Sequence, residues 1–107
     1  MHDDAEFIFV KADRRIYKIR LGDLLFIEGL RDYLAFQLTD RKIITRMSFI
    51  HLSKILPEKR FLRVSKSYII SKDKVDSFNN TSVFIQDYEI LIGKSYQEDV
   101  LKNIMNP

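Results

Sequence analysis

The stretch LLFIEGLRDYLAFQLTDRKIITRM, residues 24–47, decides the fold class. LLFIE (24–28) reads as a short, nearly all-apolar strand that stops at Gly29. YLAFQL (33–38) and KIITRM (42–47) flank Thr39-Asp40-Arg41, the best hairpin signal in the chain. Strands that succeed one another through turns, with no long helix between them, predict an antiparallel and mainly β architecture.

The rest of the chain extends this pattern. EFIFVK (6–11) and RIYKIRL (15–21) flank a turn at Ala12-Asp13-Arg14. In the second of these, Tyr17, Ile19 and Leu21 alternate with Lys18 and Arg20, the period of a half-buried strand. SFIHLSKIL (48–56) switches to helical spacing: Ser48 is placed to cap its start and Pro57 forbids its continuation. RFLRVSKSYIIS (60–71) reads as a buried strand interrupted by Ser65-Lys66-Ser67. VDSF (75–78), SVFI (82–85) and EILI (89–92) follow, separated by turns at Asn79-Asn80-Thr81 and Asp87-Tyr88. Ser95 and Glu98 form an S-x-x-E capping box ahead of a closing helix through Val100, Leu101 and Ile104. The expectation is about eight short strands and two short helices, with no repeat, low-complexity tract or internal linker.

At 107 residues, 46% hydrophobic and 31% charged, the composition is that of one folded domain. Residues 7–105 are expected to form it, behind a linker-like acidic tail MHDDAE at 1–6. No apolar run approaches the roughly 20 residues that span a bilayer. The absence of cysteine excludes disulfides and thiolate metal sites and fits a cytoplasmic location. Net charge is +3, and the bases cluster: Lys59, Arg60, Arg63, Lys66, Lys72 and Lys74 stand against Asp73 alone between 59 and 74. Such clustering suits a polyanion, or else a solvated edge that resists aggregation.

Catalytic signals are weak. Gly22, Gly29 and Gly93 stand too far apart for a phosphate-cradling loop, and His2 and His51 lack ligand partners at metal spacing. Ser65 and Ser67 have no evident base. No enzymatic activity, cofactor or metal is expected. What stands out instead are hydroxyls mixed with cations at strand junctions: Arg31-Asp32-Tyr33, Arg46 with Ser48, Ser65-Lys66-Ser67, and Lys94-Ser95-Tyr96. These are the groups that contact phosphates and base edges. At Ser95 two readings stand, capping of the last helix and phosphate contact by its neighbours Lys94 or Tyr96.

In order and spacing, DLLFIEGLRDYLAFQL (23–38), MSFIHLSKILPEKRFLRVSKSYII (47–70) and ILIGKSYQEDVLKNI (90–104) resemble a LytTR DNA-binding domain, the output module of LytR/AlgR-type bacterial response regulators. The resemblance runs over residues 7 to 104. It implies an elongated stack of small antiparallel β-sheets with one short internal helix and a C-terminal helix. It also implies sequence-specific binding of double-stranded DNA, with loops entering major grooves to control transcription in a two-component phosphorelay. Matched by position, Arg31, Asp32, Lys66 and Lys94 would meet base edges. Tyr33, Arg46, Ser48, Arg63, Ser65, Ser67, Ser95 and Tyr96 would meet the DNA backbone. Asp32 either reads a base donor such as cytosine N4 or orients Arg31. Arg63 has an equal reading as a structural residue, paired with Glu28 or a backbone carbonyl. The patch departs from the family's usual His-Arg-Ser or His-Asn-Ser, and lysine is a mobile point charge where arginine or asparagine makes planar bidentate contacts.

The resemblance further implies paired direct repeats in promoters, an upstream receiver domain if the chain is a fragment, and a weak or DNA-dependent dimer. The competing expectation is a small β module that binds a protein or peptide by strand addition.

Overall fold

The computed structural model describes residues 6–105. Ten strands and two helices follow in the order β1 (Phe7–Ala12), β2 (Arg15–Arg20), β3 (Leu24–Leu30), β4 (Tyr33–Leu38), β5 (Lys42–Thr45), α1 (Phe49–Ser53), β6 (Phe61–Arg63), β7 (Tyr68–Ser71), β8 (Ser77–Phe78), β9 (Ser82–Ile85), β10 (Tyr88–Leu91) and α2 (Gln97–Met105). They form three antiparallel sheets: β1-β2, β5-β4-β3-β7-β6, and β10-β9-β8. The extents are 40 × 33 × 26 Å. No described helix is long and apolar enough to cross a membrane.

The five-stranded sheet lies at the centre and is covered on both faces. One face packs Leu24, Ile27, Leu34, Phe36 and Ile69 against Ile8, Val10 and Ile19 of the first hairpin and Leu52 of α1. The other packs Leu25, Phe26 and Ile70 against Val83, Ile85, Ile90 and Val100. A strand covered on both faces has no polar side to display, which is why β3 opens as an unbroken apolar run. Its register against β4 shifts between Leu24 and Phe26. This bulge turns Leu25 and Phe26, consecutive in sequence, into the same core.

Several expectations change in detail. The segment 60–71 is a hairpin, not one strand: β6 and β7 pair antiparallel, Leu62 opposite Ile70, and Ser65-Lys66-Ser67 lies in the connection. The turn near residue 87 is Gln86-Asp87, with Tyr88 already paired to Ile85. Ser48 does cap α1, its hydroxyl accepting from the His51 N–H at 3.1 Å. Ser95 does not cap α2. The chain enters that helix through a 3₁₀ turn at Lys94–Tyr96, which leaves Ser95 inside the turn and the helix starting at Gln97. Phe7 and Phe9 are exposed, because the first hairpin is an outer layer and only its alternate inward residues are covered. Of the acidic tail, residues 1–5 lie outside the described residues. Glu6 is tied to the domain by the Leu21 N–H (3.0 Å) and the Arg60 guanidinium (3.0 Å).

Candidate nucleic-acid interface

The registers bring most of the predicted residues to one end of the central sheet. β3 ends where β4 begins, Leu30 opposite Tyr33. β7 begins there too, Tyr68 opposite Glu28. β5 ends there, Thr45 opposite Leu34, and so does β6, Arg63 opposite Ile69. Three connections therefore emerge side by side: 46–48 after β5, 31–32 between β3 and β4, and 64–67 between β6 and β7. The Gly29 N–H donates to the Ser67 carbonyl at 2.7 Å and joins the second to the third.

The fourth segment comes from the next layer. The Gly93 N–H donates to the Val64 carbonyl at 2.8 Å. A Cβ on Gly93 would stand 2.9 Å from the Tyr96 ring and 3.3 Å from Ser65, so the approach needs glycine. Ser65, Lys66, Ser67, Lys94, Ser95 and Tyr96 thereby share one concavity of about 490 Å³. Arg31, Asp32, Arg46 and Ser48 share another of about 270 Å³. Gly29 is a second close approach, since a Cβ there would lie 2.8 Å from the Phe49 ring. Sequence reading dismissed both glycines because they stand far apart in the chain; spacing between glycines carries no signal for this kind of contact.

Arg63 is positioned by the loop it supports. Its Nε donates to the Ser65 carbonyl (3.0 Å) and its Nη2 to the Lys66 carbonyl (2.7 Å). The guanidinium lies 4.7 Å from the Phe49 ring centre. Of the two structural partners expected for it, the backbone carbonyl is present; Glu28 instead pairs with the Tyr68 hydroxyl. The Ser65 hydroxyl accepts from the Ser67 N–H at 3.3 Å and tightens the same loop. Lys66, Lys94, Arg31 and Arg46 project as exposed cations. Asp32 makes no ion pair with Arg31 among the described residues.

The basic run 59–74 does not act as one patch. β6 and β7 carry it across the sheet, and Phe61 opposite Ser71 marks the far end. Lys59, Lys72 and Lys74 lie at that end. Arg60, only 6% exposed, is used internally: it pairs with Glu6 at 3.0 Å and lies 3.8 Å from Asp73. No sequence signal marked it, because Glu6 lies 54 residues away.

Arg31 has φ of +37°, a left-handed conformation in a two-residue turn that glycine adopts more cheaply. Arg31→Gly is expected to leave stability unchanged or raise it by about 0.5–1 kcal/mol, while Arg31→Ala gains nothing; urea melts of both variants check this.

Tyr68 begins β7 beside this edge. Burial, and then the hydrogen bond and negative charge of Glu28, raise its pKa above the ordinary 10.0. A phenol raised in the folded state holds its proton more tightly than the unfolded chain does. Its contribution is therefore full below pH about 10 and is lost as pH rises through the folded value. Tyr68→Phe should lessen the alkaline fall in melting temperature, which a pH series of thermal melts measures.

The family model of the LytTr DNA-binding domain matches residues 14–105. The chain belongs to the LytTr DNA-binding domain family. Among solved structures it is similar to a LytTr DNA-binding domain from Bacillus cereus, described there as part of a methyl-accepting/DNA response regulator. The TM-score is 0.77 at 11% identity, covering 94% of this chain and 97% of the other. At that identity the likeness concerns the fold. No curated protein matches the chain. In this LytTr domain the predicted site residues thus lie toward one end of the central sheet, whereas Arg60 and the far-end lysines of the basic run, which were not among them, lie apart.

Proposed function

We propose that this LytTr domain, residues 7–105, binds double-stranded DNA sequence-specifically through the loop-bearing end of its central sheet. In this reading it acts in the cytoplasm as the output domain of a two-component response regulator that controls transcription. The observation that carries the proposal is the convergence of 31–32, 46–48, 63–67 and 93–96, with Arg31, Arg46, Arg63, Lys66 and Lys94 against Asp32 as the one acid within those segments. Strand spacing makes a five-stranded sheet end about 19 Å across, wider than a major groove of about 12 Å. Some loops therefore meet bases while others meet the bounding backbone.

Arg31, Asp32, Lys66 and Lys94 are the tips proposed to reach base edges. Tyr33, Arg46, Ser48, Ser65, Ser67, Ser95 and Tyr96 supply backbone contacts. Arg63 serves mainly to shape the 64–67 loop. An upstream receiver domain, if the chain is a fragment, and a weak or DNA-dependent dimer on direct repeats complete the proposal.

Selection of bound duplexes from a random pool, followed by a salt titration on the winner, tests it. A recovered site whose log affinity falls by about 0.9 per log unit of salt for each phosphate neutralised supports it. Recovery of no sequence, or an affinity indifferent to salt, favours the peptide-binding module instead.

A further inference from the structure

A second basic surface lies beside the loops and was not visible in the sequence. The Thr45 hydroxyl donates to the Lys11 carbonyl and brings β1 alongside the edge strand β5. The groove between them, about 650 Å³, is lined by Lys11, Arg14, Arg41, Lys42 and Arg46, with Asp13 its one acid. That excess of cations exceeds the +3 of the whole chain. Tyr17 and Tyr33 also line it, with Arg41 5.6 Å from the first ring and Arg46 5.8 Å from the second. None of the five cations makes an ion pair among the described residues. Asp13 and Arg14 hold φ of +51° and +63°, so an arginine occupies a turn position that glycine would fill at lower cost.

We infer that this groove grips the sugar–phosphate backbone of the duplex where it continues past the loops on the β5 side. The inference rests on the DNA-binding reading and extends its footprint. Arg46 carries the argument, because it lines both the groove and the loop concavity. A rigid polyanion seated on the loops therefore runs on into the groove without a gap in positive charge. Lys42 and Arg46 stand four residues apart on and just beyond β5, about 13 Å, far enough to meet separate phosphates of one strand. Contacts from Lys11, Arg14, Arg41 and Lys42 to phosphates would add affinity without sequence preference.

The test compares the wild-type domain with a variant carrying Lys11→Gln, Arg14→Gln, Arg41→Gln and Lys42→Gln. All four side chains are exposed. Each protein is titrated with salt on the selected duplex, in one form ending at the site and in another extended by a helical turn on both sides. The wild type is expected to bind the extended form more tightly, with a salt slope steeper by about 2 to 3.5, and to protect extra sugars on one side only in hydroxyl-radical footprinting. The variant should lose all three effects and keep its ratio of selected to random affinity. The pair Lys11→Gln and Lys42→Gln alone should lose about half the slope difference, a check that survives misfolding of the fourfold variant. Equal slopes and footprints for wild type and variants, with Lys66→Ala still impairing binding, would leave the loop reading intact and overturn the groove. Absence of DNA binding by the wild type would overturn both.

Discussion

Lys66→Ala is expected to weaken binding to the selected duplex by about 1–3 kcal/mol, roughly 5- to 150-fold, with little loss on random DNA. Lys66 tips the connection between β6 and β7, flanked by the β3–β4 turn on one side and the 93–96 junction on the other. In the proposed binding mode, a side chain in that middle position would enter the groove that the flanking loops straddle. Lys94 stands at the margin of the edge, at the start of the 3₁₀ turn that leads into α2. Lys94→Ala should therefore lower affinity for all sequences alike and flatten the salt slope by about 0.9. Melting temperatures should move by less than about 3 °C in both cases, since neither exposed cation contributes to a core. Fluorescence anisotropy on selected and scrambled duplexes, with calorimetric melts, reads all four quantities. A large loss of stability would mean that these lysines hold the loops together instead of meeting DNA.

Phe36→Ala is expected to destabilise the domain by about 3–5 kcal/mol. Phe36 is wholly buried in β4, within the core that the central sheet shares with the first hairpin and α1. Removing its ring leaves a cavity that neighbours on three elements cannot close together. Against a typical total of about 5–15 kcal/mol this is a large fraction. Because β3 contributes to both cores, they should unfold as one transition with the urea midpoint lowered. Ile50→Ala, at a position 74% exposed, is the control and should change stability by no more than about 0.5 kcal/mol. A cost under 1 kcal/mol for Phe36→Ala would contradict the packing described.

Sequence disclosed the fold where its signals are local. The apolar run of β3, the alternation in β2, the Ser48 cap and the stop at Pro57 each act within a few residues. The ordered motifs from 23 to 104 gave the family as a resemblance, and the family match over residues 14–105 agrees with it. What stayed hidden depends on residues distant in sequence. The reversal at 64–67 lacks glycine, proline or asparagine, so its apolar flanks read as one strand; it turns because Arg63 binds two of its carbonyls. Arg60 reads in the sequence as part of a basic patch, yet it pairs with Glu6, 54 residues away. Lys11 and Arg41 form one groove only because β1 docks on β5.

Amide chemical shifts recorded as the selected duplex is added to the domain test the central claim most directly, since they report which end of the central sheet meets DNA. The account predicts that the largest changes fall on residues 29–33, 46–48, 63–67 and 93–96. Changes centred on Lys59, Lys72 and Lys74 at the opposite end, with those four segments unmoved, would contradict it.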